Sequence, residues 1–201
     1  MDDGGRSAGA VTAAPAAATA RVVVRVAVPR AAQMRALGAR LAGLLRPGDL
    51  VVLAGPLGAG KTTLVQGIGD GLGVRGPVTS PTFVIARVHP SLRGGPDLVH
   101  ADAYRLGSRL EVDDLDLDAD LDHSVTAVEW GEGLVETLAP AHLLITIAWD
   151  EPPAPGDSAG RAVDDVAADE LGDEPRVVTL AGHGARWADS AADLRAVSDA
   201  P

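Results

Sequence analysis

Leu50-Val51-Val52-Leu53-Ala54 runs directly into Gly55-Pro56-Leu57-Gly58-Ala59-Gly60-Lys61-Thr62-Thr63 and then into the apolar pattern of Leu64-Val65-Gln66-Gly67-Ile68. A short continuous apolar run closed by a turn reads as a strand buried on both faces. Residues 55–62 satisfy G-x-x-x-x-G-K-[ST], and Thr62–Leu72 reads as a helix that stops before Gly73. Strand, glycine-rich turn and helix in that order make a cradle for nucleotide phosphates. Backbone N–H groups of the turn and of the helix start point into one concavity, where the helix dipole also favours an anion. Lys61 then offers an ammonium to the β- and γ-phosphates, and the Thr62 hydroxyl is placed to ligate Mg²⁺. The expected nucleotide-binding set is therefore Leu57, Gly58, Ala59, Gly60, Lys61, Thr62 and Thr63.

Composition singles out the same position. Of 17 basic residues 16 are Arg, and Lys61 is the only lysine in 201 residues. Arg is too bulky and planar to act in such a loop as a compact point charge, which gives one lysine a reason to persist. It also rules out the usual guanine-selecting N-K-x-D motif, which needs a second lysine. With no Cys, disulfides, thiolate metal sites and a cysteine nucleophile are excluded. The absence of Cys permits the cytoplasmic location expected here.

Net charge is −11, yet residues 111–122 carry seven acids and no base, and residues 150–174 carry nine acids and Arg161. Those two segments account for −15, so the rest of the chain is mildly basic at +4. No clustered Lys/Arg stripe suits primary nucleic-acid binding. No window approaches the ~20 apolar residues of a bilayer span, so no membrane association is expected.

Outward from the loop, β and α patterns alternate. Strands are expected at Val22–Val28, Phe83–Val88, Leu98–Ala101, Val125–Glu129, Leu143–Ala148 and Val177–Ala181, with a helix over Ala31–Leu45 stopped by Pro47-Gly48. Pro90 and Gly94-Gly95-Pro96 between the second and third of these strands also fit an antiparallel hairpin. The expected architecture is an α/β three-layer sandwich of P-loop NTPase type. Its sheet is mainly parallel with some antiparallel strands, and helices lie on both faces. Residues 1–20, poor in large apolar side chains, read as a disordered leader, 21–149 as the nucleotide-binding domain, 150–174 as an acidic low-order insertion, and 175–198 as the closing strand and C-terminal segment of the same domain.

Two carboxylates end apolar strands, at the edge where ligands of open α/β sheets gather. Glu129 closes the cleaner run, Val125–Val128, and is the better candidate for a Mg²⁺ carboxylate; Asp102, in His100-Ala101-Asp102-Ala103-Tyr104-Arg105, could hold a metal-bound water, orient an attacking one, or simply cap the chain. Thr79-Ser80-Pro81-Thr82-Phe83 fits either a phosphate-sensing loop, with Thr82 near the γ-phosphate or Mg²⁺, or an ordinary strand-entry turn. Trp130 could cover the nucleotide or close the core. His100 and His123 lack metal spacing and read as hydrogen-bonded structural residues.

Taken together, G-x-L-G-A-G-K-T-T, S-P-T-F, H-x-D-x-Y-R-L and V-E-W-x-E, in this order over about residues 30–149, resemble the TsaE (YjeE) family of small bacterial P-loop ATPases in tRNA threonylcarbamoyladenosine biosynthesis. The resemblance implies ATP on Leu57–Thr62 and Mg²⁺ on Thr62 and Glu129. It makes Lys61, Asp102, Glu129 and Thr82 the hydrolytic or switching set, with TsaD and TsaB as partners and tRNA met only through their complex. It also implies that Gly184-Ala185-Arg186-Trp187 borders the adenine pocket. The chain departs from the family pattern at Pro56, where Asp is common, and in the length of the 150–174 insertion. Two other readings stay open: a small-molecule kinase using Arg87, Arg93, Arg105 or Arg109 over the transferred phosphate, and a non-catalytic module that binds ATP only to hold a shape.

Overall fold

The computed structural model describes residues 22–81, 85–106, 108–113, 117, 121–150 and 174–199. The expected leader, nearly all of the 150–174 insertion, and Thr82 with Phe83 lie outside the described residues.

Among the described residues seven strands form one sheet in the order β1-β7-β6-β2-β5-β4-β3. They are β1 (Val22–Val28), β2 (Leu50–Ala54), β3 (Ala86–His89), β4 (Asp97–Asp102), β5 (Ser124–Glu129), β6 (His142–Trp149) and β7 (Arg176–His183). The middle four, β6-β2-β5-β4, run parallel. Antiparallel pairs flank them: β1 on β7 and β7 on β6 at one side, β3 on β4 at the other. Burial follows position. β2 and β5 are buried at every residue, whereas edge strand β1 alternates, turning Val22, Val24, Val26 and Val28 inward and Val23, Arg25 and Ala27 outward.

One face is covered by α1 (Ala31–Ala42), α2 (Lys61–Leu72) and α4 (Ala191–Asp199), whose Met34, Leu37, Leu64, Ile68 and Leu194 meet Val51, Leu53, Val125 and Ile145 of the sheet. The other face carries α3 (Arg109–Asp113) and 3-10 turns, with Val112, Leu117, Val135 and Ala139 over Leu50, Val52 and Val128. Helices α1 and α2 touch backbone to backbone. A Cβ on Gly67 would lie 2.0 Å from the Arg35 carbonyl oxygen, and one on Gly38 would lie 2.2 Å from that of Leu64. The glycines that weaken α2 as an isolated helix are thus what lets it lie so close to α1.

Three local expectations shift. The first helix ends at Ala42 rather than Leu45, because the N–H groups of Gly43, Leu44 and Leu45 bond to carbonyls three residues back and tighten the last turn. The first hairpin strand, expected over Phe83–Val88, has its described part at Ala86–His89. Ile85 sits at φ 69°, outside strand geometry, with its N–H on Pro81 O and its carbonyl accepting from Asp102 N. α2 begins one residue earlier than read, at Lys61, and ends as expected with Gly73 in the left-handed conformation, bonding back to Gly69 and Asp70.

Candidate nucleotide site

All four central strands point their C-terminal ends at one edge, and the loop Gly55–Gly60 leaves β2 there. Gly60, at φ 107°, makes the turn into α2, a conformation that L side chains avoid. Gly60, the N-cap of α2, has no side chain to cap it, so the first-turn N–H groups face the concavity without an intrahelical acceptor. Gly58, at φ 76°, has nothing within 4 Å of where a Cβ would stand, so the loop backbone is open to an approaching oxyanion. Leu57 is exposed at the rim while Ala59 and Thr63 are buried beneath it, serving through backbone and packing rather than through side-chain contact.

Lys61 is 4% exposed. Its Nζ donates to Gly55 O at 2.8 Å and Pro56 O at 2.9 Å, and lies 3.7 Å from the centroid of the Trp130 ring. Burial lowers its pKa from 10.5 to about 8, with the negative charges of Glu129 and Asp102 pulling partly the other way. Pro56, which cannot donate, contributes its carbonyl twice, to Lys61 and to Ala59 N at 3.3 Å. Trp130 reaches the ammonium because its own backbone is left-handed, at φ 61°, with its N–H held by Leu53 O at 2.9 Å. Exposed Tyr104 packs on its ring at 5.1 Å and 57°. The lysine is thus stored between two carbonyls and an aromatic face, all of which attract a cation.

The carboxylates converge as their strand positions demand. β4 and β5 pair Asp102 with Glu129, and β2 and β5 pair Leu53 with Glu129, which sets Glu129 beside the start of the loop. Glu129 is 3% exposed and its Oε1 accepts from Thr62 Oγ1 at 2.8 Å. The same oxygen meets His100 Nε2 at 2.9 Å. Asp102, 6% exposed, accepts from Tyr104 N at 2.9 Å. Thr62 and Glu129 offer hard oxygen ligands side by side. Among the described residues no group of three His, Cys, Asp or Glu could hold a metal alone. A two-oxygen protein site suits Mg²⁺, which keeps several waters and takes further ligands from phosphates.

Lys61, Thr62, Glu129 and Asp102 therefore meet at one place, and Thr82 lies outside the described residues. His100, read as a hydrogen-bonded structural residue, is buried and hydrogen-bonded; that its partner is Glu129, and that Trp130 lies on Lys61, sequence reasoning did not reach. Period-two alternation puts His100 on the face shared by Asp102, but the neighbour it touches is set by strand pairing. The fold does not bring Arg186 and Trp187, read as bordering the adenine pocket, to the loop. Arg186 pairs in bidentate fashion with Asp49 at 2.9 Å and donates to Leu44 O at 2.7 Å. Asp49 precedes β2, so this clamp lies at the opposite edge of the sheet, roughly 17 Å from the loop at the usual strand rise. Trp187 is 1% exposed and packs against Gly182. Arg93, one of the candidate phosphate arginines, packs over Gly73 at the far end of α2.

The comparisons with known proteins point the same way. A family model described as "Threonylcarbamoyl adenosine biosynthesis protein TsaE" matches residues 28–154, which includes the loop, Asp102 and Glu129. The chain belongs to the TsaE family. It is 60% identical over 156 residues to the tRNA threonylcarbamoyladenosine biosynthesis protein TsaE of Streptomyces coelicolor, covering 77% of this chain and 94% of that one. To the TsaE of Bacillus subtilis it is 38% identical over 116 residues, 57% of this chain and 71% of that one. Among solved structures, that of Bacillus subtilis YdiB matches with a TM-score of 0.60 and 27% identity, covering 87% of this chain and 95% of that one. In keeping with that likeness, the expected P-loop NTPase-like α/β fold is present, with the parallel strands at its centre.

Proposed function

We propose that this TsaE protein is the ATP-binding and ATP-hydrolysing subunit of the machinery that forms threonylcarbamoyladenosine in tRNA, working with TsaD and TsaB and meeting tRNA only through them. Membership of the TsaE family supports the pathway. The observation that carries the chemistry is the contact between Thr62 and Glu129 at the start of α2, beside a buried lysine. Those are the parts of a Mg²⁺–triphosphate site, two oxygen ligands and one ammonium.

In this reading the first-turn N–H groups of α2 and the loop backbone hold the phosphates. Lys61 leaves the carbonyls of Gly55 and Pro56 to neutralise the β/γ oxygens, and Trp130 and Tyr104 line the space it vacates. Thr62 and Glu129 would hold the cation or its water, the Thr62 oxygen through a lone pair while its O–H donates to Glu129. Asp102, one strand away, orients the attacking water, and Thr82 senses the γ-phosphate. A bound Mg²⁺ supplies charge neutralisation for the transferred phosphoryl group. Hydrolysis by the isolated protein is weak, and TsaD and TsaB raise it. The setting is cytoplasmic, where tRNA is modified; among the described residues no helix is long and apolar enough to cross a membrane.

The test is ATP hydrolysis by wild type and Glu129→Ala, each with and without the TsaB–TsaD pair. Stimulation by the pair in wild type, lost in the variant while ATP binding without Mg²⁺ persists, is the expected result. Absence of ATP binding, or hydrolysis in Glu129→Ala equal to wild type, contradicts the reading.

A further inference from the structure

We infer that His100 is the positioning residue of the cation subsite, holding the Glu129 carboxylate in place beside Thr62. The inference rests on the nucleotide reading above and adds a residue to it.

His100 is fully buried, at 0% exposure, on β4. Alternation along the strand turns Leu98, His100 and Asp102 to the side of the sheet covered by α2, in three successive layers. Leu98 belongs to the apolar core, whereas the layer above it holds an imidazole. Its Nε2 lies 2.9 Å from Glu129 Oε1. An ionised carboxylate only accepts, so the Nε2 that meets it carries a proton. Nδ1 is buried and meets no hydrogen-bond partner among the described residues. Burying a polar atom in this way opposes folding, and an apolar side chain of like size would avoid it. Among the described residues the ring's polar contact is with Glu129.

Both donors on Glu129, the Thr62 hydroxyl and His100 Nε2, converge on Oε1. The Thr62 hydroxyl, at the start of α2, can offer a cation an oxygen lone pair while its O–H still donates to Glu129. His100 is the second donor on the carboxylate and the one fixed by the core. Without that hold, a side chain with three rotatable bonds would be free to swing toward the nearby Lys61 ammonium, whose charge already feels Glu129. Such a collapse would spend the metal ligand and the phosphate ligand on each other. Histidine suits the task because its ring has two torsions and is clamped by the core, so the donor stays where the fold places it. The arrangement is the familiar outer partner of a metal ligand, which orients the ligand without touching the metal.

The experiment uses the full chain loaded with ADP and reads Mn²⁺ binding by electron paramagnetic resonance, alongside ADP affinity in EDTA. His100→Leu removes the donor; His100→Gln carries an amide N–H to about the reach of Nε2, and His100→Asn carries one that falls short. Expected for Leu and for Asn is Mn²⁺ binding weakened by about 10–100-fold, with ADP affinity in EDTA within ~2-fold of wild type and Gln restoring Mn²⁺ binding to within ~3-fold. Mn²⁺ binding unchanged in Leu, or equally weak in Gln and Asn, overturns the assignment while leaving the nucleotide site standing. If Leu fails to fold, the contrast between Gln and Asn decides alone. Wild type that binds no ADP in EDTA removes the nucleotide reading and this inference with it.

Discussion

Raising the pH from 7 to 9.5 is expected to release ATP from this protein through one group. Burial, partly offset by Glu129 and Asp102, sets Lys61 at about 8 in the nucleotide-free protein. The ammonium is then roughly nine-tenths populated at pH 7, half at pH 8 and one-tenth at pH 9. Phosphate oxygens stabilise the charged form, so binding selects it and takes up a proton wherever the free lysine is neutral. Affinity should be nearly flat below pH 7, about twofold lower at pH 8 and about tenfold lower at pH 9. The contribution of the same group to stability runs oppositely. Because its folded pKa lies below the unfolded value of 10.5, the cost of burying the charge is present below about pH 8 and fades as pH rises toward 10.5. Lost affinity therefore does not reflect unfolding driven by this lysine. Calorimetric titration with ATP in two buffers of different ionisation enthalpy measures the proton uptake, expected at about half a proton at pH 8 and near zero below pH 7. Glu129→Gln, by removing a charge that raises the lysine's pKa, should move the midpoint to lower pH. Affinity constant from pH 7 to 9.5 with no proton uptake would refute the reasoning.

Three further outcomes follow from the packing. Gly67→Ala forces a Cβ to within 2.0 Å of a backbone oxygen of α1, and should cost about 2 kcal/mol or more in urea unfolding after the gain in helix propensity. Gly69→Ala meets Val78 Cγ2, a side-chain atom that can turn, and should cost clearly less; equal costs would contradict the backbone contact. Arg186→Ala leaves Asp49, 4% exposed, without its bidentate partner, and should lower stability by about 2–3 kcal/mol, discounted for the partly exposed guanidinium. ATP affinity should be unchanged in that variant, since the clamp lies at the other edge of the sheet. Trp130 emission should shift when ATP draws Lys61 from its ring, and Trp130→Phe should abolish most of that response although Trp149 and Trp187 remain.

The centre of the fold was legible because local signals there agree. Leu50–Ala54 is apolar throughout as a strand buried on both faces must be, and Gly55–Thr62 has only one common structural meaning in that context. Val22–Val28 and the Pro90 to Pro96 turn likewise betrayed a strand and a hairpin, though not that the strand is an edge. What stayed hidden depends on partners far away along the chain. Nothing near Asp49 announces Arg186, 137 residues later. Nothing near His100 announces Glu129, because the register of β4 on β5 is settled by the packing of whole strands. Ile85 and Trp130 take left-handed backbones that their residue types disfavour, so propensity argued against both. Trp130 is the more instructive of the two. Its unusual backbone is what brings the ring over the lysine.

The central claim is that Lys61 and the loop around it bind nucleotide phosphate. Equilibrium titration of ATP against wild type, Lys61→Arg and Lys61→Ala, with folding of each verified by circular dichroism, tests it most directly. The account predicts one ATP per chain in wild type, and affinity lower by about tenfold or more in both variants, since a charge-assisted hydrogen bond contributes roughly 1.5–3 kcal/mol and Arg cannot replace the compact ammonium. Equal affinity in wild type and Lys61→Ala would contradict it.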